Sequence, residues 1–276
     1  MTEHATEVSR GERFEFGANW ARFLELLNDE RIGRAEKSLC EMLGVSDLEG
    51  KSFLDIGSGS GLFSLAARRL GATVHSFDYD PKSVACTREL KRRYFPDDPR
   101  WIVEEGSVLN QDYLKRLGQF DVVYSWGVLH HTGAMWEALD NIASLVAERG
   151  RLFISIYNDL GGPSRRWKYL KQLYNSYALL RLPLALYTLI RLWTHSFLHD
   201  TLQGNPLASW SNYKKGRGMS AWHDVVDWIG GYPFEVAKPE EVFDFYRQRG
   251  YRLERLKTCA NGHGCNEFVI ARTRRS

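Results

Sequence analysis

Apolar residues in this chain fall into short continuous runs separated by longer segments of helical spacing. Ser52–Ile56 is one such run, ending abruptly in glycines. Its length and its stop predict a buried strand. Thr73–Phe77, Trp101–Glu104, Phe120–Ser125 and Arg151–Ile156 are runs of the same kind. Between them, 62–70, 81–94, 110–117 and 134–147 carry apolar residues at helical spacing. Strands alternating with helices predict a parallel sheet covered on both faces. Ahead of this pattern, residues 1–12 are polar and read as frayed. Trp20, Phe23, Leu24 and Leu27 then follow the i, i+3, i+4, i+7 template of an amphipathic helix. Ile32–Leu43, closed by Gly44, predicts a second helix.

The alternation breaks after residue 158. Ser164–Tyr177 is basic and aromatic, and Leu184–Leu198 is mostly apolar with one polar stripe of Thr188, Arg191, His195 and His199. Pro183 suits a helix start. The apolar run is too short and too charged to predict a transmembrane span. Its wide apolar face needs cover, which leaves a lid on the core, a homodimer interface, or a membrane-surface contact through 184–198. Ser220 reads as the N-cap of a helix reaching Trp228, and Gly230–Phe234 as a turn. Pro239–Arg249 has the proline, early acids and late arginines of a helix. Tyr251–Lys257 and Glu267–Ala271 close the chain as a strand pair. The expected organisation is an N-terminal helical cap (1–49), a core (50–158), a helical insertion or substrate lid (159–236), and a C-terminal helix with two strands that complete the sheet (237–276).

Candidate chemistry collects where strands end. Asp55-Ile56-Gly57-Ser58-Gly59-Ser60-Gly61 joins the first strand to its helix. Glycines allow a sharp turn and a close ligand approach. A dinucleotide fingerprint, G-x-G-x-x-G, needs a glycine where Leu62 stands, so a dehydrogenase is disfavoured. Asp78, after the second strand, offers two acceptors suited to ribose hydroxyls. Asp80 is the other choice there, or else caps the helix that Pro81 opens.

The D-x-G-x-G-x-G loop, the stretch Phe120–Thr132 and the Glu148–Ile154 segment together resemble the motifs of the class I S-adenosylmethionine-dependent methyltransferases, over about residues 50–158. Within that family the chain looks most like small-molecule methylases such as those acting on quinone precursors. The resemblance implies a Rossmann-like, seven-stranded, mostly parallel α/β sheet with an antiparallel last strand, and S-adenosyl-L-methionine as cofactor, leaving as S-adenosyl-L-homocysteine. It places cofactor contacts at Asp55, Gly57, Ser58, Gly59, Gly61, Asp78, Tyr79, Ser107, Val108, Ser125 and Trp126. The N-terminal helices would cover the cofactor or simply cap the sheet. One departure stands out: the family usually has an acidic residue near the adenine, where this chain has Gly106-Ser107-Val108.

Three histidine regions are candidates for a general base, since imidazole accepts a proton near neutrality. His130 and His131 follow the fourth strand, with His131 favoured. His223, beside Trp222, is the second candidate. Tyr157, Asn158, Trp222 and His263 are candidate substrate contacts. A histidine base suits O-methylation, because an alkoxide or phenolate attacks better than the neutral hydroxyl. The aromatic insertion suggests a bulky or partly apolar small molecule.

Composition changes this picture little. Net charge is +3 with a pI near 8.6, too mild to argue for nucleic acid. The four cysteines are scattered and give no zinc spacing, so no metal is expected and a reducing, cytoplasmic setting is. The first residues show no apolar leader. Two rival readings stay open. The basic run Arg165–Lys171 and Lys214-Lys215-Gly216-Arg217 suit an RNA methyltransferase, although the Asn/Asp-Pro-Pro-aromatic motif of many base methylases is replaced by Ser125-Trp126-Gly127-Val128. The other is a non-catalytic S-adenosylmethionine-binding protein.

Overall fold

The computed structural model describes residues 3–25, 27–211, 221–260 and 262–273, the side chains at 18, 19, 21, 22, 221 and 223 excepted. The chain forms two compact units, Gly17–Gly161 with Glu235–Ser276, and Met1–Phe16 with Gly162–Phe234.

The larger unit is built on seven strands: β1 Ser52–Ile56, β2 Thr73–Asp78, β3 Trp101–Glu105, β4 Phe120–Trp126, β5 Val146–Tyr157, β6 Tyr251–Lys257 and β7 Cys265–Arg272. Their order is β3-β2-β1-β4-β5-β7-β6. Neighbours run parallel except β7, which is antiparallel to both β5 and β6. This is the Rossmann-like sheet expected from the sequence. The chain winds outward from β1 to β3, then returns to β4 beside β1. The connections leaving β1 and β4 therefore diverge, which opens a crevice at their carboxyl ends.

Strand alternation divides the apolar residues between two faces. Leu54, Phe77, Val123, Ile154 and Phe268 pack with Leu139, Val242 and Tyr246 on one face. Phe53, Val74, Val122 and Phe153 pack with Ile32, Leu39, Leu65 and Leu90 on the other. Both faces are buried, which is why the strands read as continuous apolar runs. The covering helices include α2 Gly17–Glu25, α3 Asp29–Leu43, α4 Leu62–Arg69, α5 Pro81–Tyr94, α6 Gln111–Leu117 and α7 Met135–Ala143, after α1 Glu3–Ser9 in the smaller unit.

Several element boundaries differ from the sequence reading. α2 ends at Glu25, so Leu27 lies beyond it. α3 starts three residues early because the Asn28 side chain accepts from Arg31 N, and Gly44, left-handed at φ 65, closes it. The helix expected over 134–147 stops at Ala143. β5 already begins at Val146, opposite Phe120. Phe120 N donates to Leu145 O at 2.8 Å. The apolar pair Leu145-Val146 is claimed by the sheet, and Arg149, at φ 64, lets the strand resume opposite Val122 after a register shift. Pairing with β4 outweighs the helical preference of Glu148 and Arg149.

In the smaller unit, the segment from Glu3 on is not frayed: α1 forms there. His4 is 5% exposed. Arg13 pairs with Glu7 at 2.6 Å, and Phe14 N donates to Tyr232 O at 2.9 Å. Gly11 lies against the Asn175 backbone, where a side-chain carbon would stand 2.6 Å from the carbonyl oxygen. Tyr232 and Asn175 are distant in sequence, so a polar N-terminus gave no sign of them. Among its described residues the unit also holds helices Gly162–Ser176, Arg181–Leu202 and Ala221–Gly230. Pro183 is the third residue of its helix rather than the first. The N-cap expected at Ser220 lies outside the described residues.

Lys171 is fully buried. Its Nζ sits 4.2 Å and 4.8 Å from the Trp228 and Phe234 ring centres and donates to Trp228 O. Burial lowers its pKa to about 7. No helix among the described residues is long and apolar enough to cross a membrane.

Candidate functional site

The β1 loop turns on backbone bonds from Gly57 N and Ser58 N to Phe77 O, at 2.8 and 3.1 Å. Gly57, Gly59 and Gly61 all have positive φ (74, 55 and 81°). The protein itself fills the space their side chains would occupy. A carbon on Gly57 would stand 2.4 Å from Val128 Cγ1, on Gly59 3.1 Å from the Trp20 indole, and on Gly61 3.0 Å from Thr87. The turn after β4, helix α2 and helix α5 therefore all close onto this loop. Ser58 Oγ and Thr87 Oγ1 lie 2.9 Å apart, a second tie to α5.

Asp78 is aimed by the backbone. Its Oδ2 accepts from Gly59 N and its Oδ1 from Asp80 N, both at 2.9 Å. The Tyr79 backbone N–H adds a third bond to this carboxylate, whose two oxygens have lone pairs left over for a further donor. Burial raises its pKa to about 6, against the pull of these hydrogen bonds. Asp80 is the N-cap of α5, accepting from Lys82 N, and its other oxygen accepts from Gly17 N, both at 2.8 Å. Its two oxygens thus order α5 and the start of α2. Tyr79, between the two in sequence, is half-buried.

Beneath the loop, Asp55 ends a hydrogen-bonded chain with one possible direction. Trp101 Nε1, which can only donate, gives its proton to Ser76 Oγ at 2.9 Å. Ser64 Oγ donates to Asp55 Oδ2 at 2.5 Å, so across the 2.7 Å contact between the two serines Ser76 is the donor. Every proton in the chain points toward Asp55. Burial nevertheless raises the Asp55 pKa to about 7 from the ordinary aspartate value of 3.8. Unfolding therefore releases a proton between these two pH values, and stability falls as pH rises through that window. Asp55→Asn removes this dependence. Denaturant titrations at pH 4 and pH 7 should show a wild-type loss larger than that of the variant by roughly 3 kcal/mol. Equal pH dependence in the two proteins would refute the assignment.

The other residues the sequence singled out divide into two kinds. Ser107 Oγ accepts from Leu109 N at 3.2 Å and shapes the turn before α6, while Val108 is buried. Ser125, also buried, donates to Ile56 O at 3.0 Å and ties β4 to β1. Asn158 is similarly occupied: its Nδ2 donates to Ala260 O and its Oδ1 accepts from Asn266 Nδ2, both at 3.1 Å, pinning the β6–β7 loop to the end of β5. Trp126, by contrast, is 44% exposed at the carboxyl end of β4.

His130 and His131 fall in a 3-10 turn, Leu129–His131, held by His131 N donating to Val128 O at 2.8 Å. Both are buried, His131 retaining 8% exposure. Their ring centres are 4.5 Å apart, and Tyr157, at the end of β5, lies 4.0 Å from His130 and 5.6 Å from His131. Glu235 braces this turn. Its N donates to His130 O at 2.9 Å, and its carboxylate accepts from Met135 N, the first residue of α7, at 3.1 and 3.2 Å. Val128 thus links the glycine loop to the histidine turn. His263 is exposed in the β6–β7 loop. Trp222 is half-buried in the smaller unit, and the side chain of His223 lies outside the described residues.

The family model described as a methyltransferase domain matches residues 23–209, more than half of the chain. The chain belongs to this family. Among its relatives, a ubiquinone biosynthesis O-methyltransferase of Caulobacter sp. (strain K31) is 29% identical over 141 residues, 49% of this chain and 51% of that protein. A ribosomal protein L11 methyltransferase of Methylococcus capsulatus is 40% identical over 77 residues, 27% of this chain and 26% of that protein. The chain thus spans about half, or less, of the length of these relatives. In structure it resembles a magnesium protoporphyrin IX methyltransferase from Synechocystis PCC 6803 with bound SAH, at TM-score 0.55 and 14% identity, covering 93% of this chain and 95% of that one. At that identity the likeness concerns the fold.

In this methyltransferase-family chain, sequence reasoning missed four residues of the site. Trp20 and Thr87 pack on the glycine loop, Val128 fills the Gly57 position, and Glu235 caps α7. Trp20 had read as one apolar residue of an amphipathic helix. The other three carry no local signal, because their roles exist only across the fold.

Proposed function

We propose that this chain is an S-adenosylmethionine-dependent methyltransferase that O-methylates a small molecule, with His131 as general base. The observation that carries the reading is the packing of the histidine turn onto the glycine loop through Val128 and Gly57. It holds a candidate base beside a candidate cofactor cradle on one edge of the sheet. The donor set fits the cofactor. Asp78 presents carboxylate oxygens suited to vicinal hydroxyls, the loop carries three glycines, and Trp126 offers an exposed ring. S-adenosylmethionine, when bound, supplies an electrophilic methyl group on a sulfonium.

The chain's own residues orient and deprotonate. Gly57–Gly61 and Asp78 hold the cofactor's hydroxyl-bearing portion. A ring nitrogen of His131 takes the proton from the acceptor hydroxyl, which makes the oxygen a better nucleophile. Fixing both groups on a rigid sheet edge removes the cost of bringing them together. The Caulobacter relative, an O-methyltransferase by name, supports oxygen as the accepting atom. The lid role of residues 159–236 and substrate contacts by Trp222 and His263 belong to the same proposal. So does a cytoplasmic setting, which suits scattered cysteines.

Isothermal calorimetry of the folded chain with S-adenosylmethionine should give saturable heat at one site. A folded protein that gives none sinks the reading. A panel of aromatic hydroxyl and amine acceptors, followed by methyl transfer, then tests the acceptor class. Turnover of amines alone would count against O-methylation.

A further inference from the structure

We propose that the helix Arg181–Leu202, with the helix before it, seats this chain on an anionic lipid bilayer. Leu182, Leu186, Ile190 and Phe197 are 62, 45, 64 and 47% exposed. Their spacing puts them on one side of the helix. Trp193 falls on the same side, edge-on to Trp210 at 4.8 Å. Ala185 and Thr188, on another side, are buried. Single exposed leucines are ordinary on a protein surface. A row running from Leu182 to Phe197 along one helix is an interaction surface.

Charge selects the occupant. From Leu160 through His199 the sequence holds no Asp or Glu, although the whole chain has 34 among 276 residues. Over the same span Arg165, Arg166, Lys168, Arg181 and Arg191 are exposed. A second copy docked through the same segment would bring the same cations again and no carboxylate from 160–199 to meet them. RNA would meet the charge and leave the leucines uncovered. An anionic bilayer offers an apolar interior and a negative surface together. Arg191 interrupts the apolar run at mid-helix, and no described helix is apolar enough to cross, so the helix lies in the plane of the interface.

The full chain is mixed with vesicles of phosphatidylcholine alone, or with about a third phosphatidylglycerol, and binding is read by co-sedimentation. The anionic vesicles should bind at least about tenfold tighter, since each surface cation contributes roughly fivefold. Binding should weaken as salt rises toward 0.5 M, where screening is strong. Leu186→Asp with Ile190→Asp should abolish sedimentation. Arg165→Glu with Arg166→Glu should remove the preference for anionic vesicles. Both pairs are exposed, and circular dichroism with S-adenosylmethionine calorimetry confirms that each variant is intact. Such variants separate this surface from the proposed reaction, on which it does not depend. The proposal is overturned if neither vesicle binds, if both bind equally, or if the variants bind like wild type. It is equally overturned if the chain retains RNA or dimerises through this face without binding vesicles.

Discussion

His131→Ala should lower kcat by about 10²- to 10⁴-fold, the usual contribution of a positioned general base. The imidazole sits in a short turn fixed at both ends. His131 N donates to Val128 O, and the neighbouring His130 O accepts from Glu235 N. Tyr157 stands edge-on to the ring at an interplanar angle of 85°. A side chain held this way loses little freedom when it acts. Alanine removes the base and leaves the backbone bonds intact, so the fold and the cofactor heat should survive. His131→Gln separates chemistry from packing: it fills similar space but cannot take the proton. Both variants should lose activity at every pH tested, because neither side chain can take the proton. Steady-state kinetics across pH with S-adenosylmethionine saturating gives the readout. Wild-type rates in both variants would remove His131 from the mechanism and direct attention to His130 and His223.

Gly57→Ala should be strongly destabilising. Two costs fall on one carbon. The backbone at φ 74 disfavours any side chain, by about 1–2 kcal/mol. The added methyl would also stand 2.4 Å from Val128 Cγ1, and forcing a group into filled space costs about 1–3 kcal/mol. Together these remove a large part of the roughly 5–15 kcal/mol that holds a domain folded. The loop and the histidine turn move apart when the clash is relieved, so S-adenosylmethionine affinity should fall at least about tenfold, the equivalent of 1.4 kcal/mol. Gly57→Ala with Val128→Ala removes the collision but keeps the strained φ, and should recover part of both losses. Thermal unfolding and calorimetry on the pair of variants check this. An unchanged Gly57→Ala protein would mean the loop does not depend on this contact.

The Gly57–Val128 contact also shows where the sequence stops being informative. A glycine in a D-x-G-x-G-x-G loop invites the explanation that a ligand must come close. In the fold, the carbon absent from Gly57 is replaced by a valine 71 positions away. The same holds for Asp78 and Asp80. Both are acids at the end of β2, and nothing local separates them. Only their partners do: Asp80 spends its oxygens on Lys82 N and Gly17 N, whereas Asp78 faces the glycine loop. The N-terminal segment is a further case. Residues too polar to predict structure become α1 because His4 and Gly11 meet surfaces supplied by the rest of their unit.

What the sequence determined by itself was local or periodic. Apolar runs four to seven residues long, helix ends marked by Gly44 and Pro81, and the left-handed glycines all follow from steric and burial rules that act within a few residues. These sufficed for the strands, the connecting helices and hence the sheet class. The tertiary structure decided which groups share the site. It brought Trp20, Thr87 and Val128 onto the loop and Glu235 onto the histidine turn, aligned the serine protons toward Asp55, and left the leucines of the Arg181–Leu202 helix uncovered. Such contacts join residues far apart along the chain. Their energies depend on distance, burial and direction in space, quantities that no short sequence window contains.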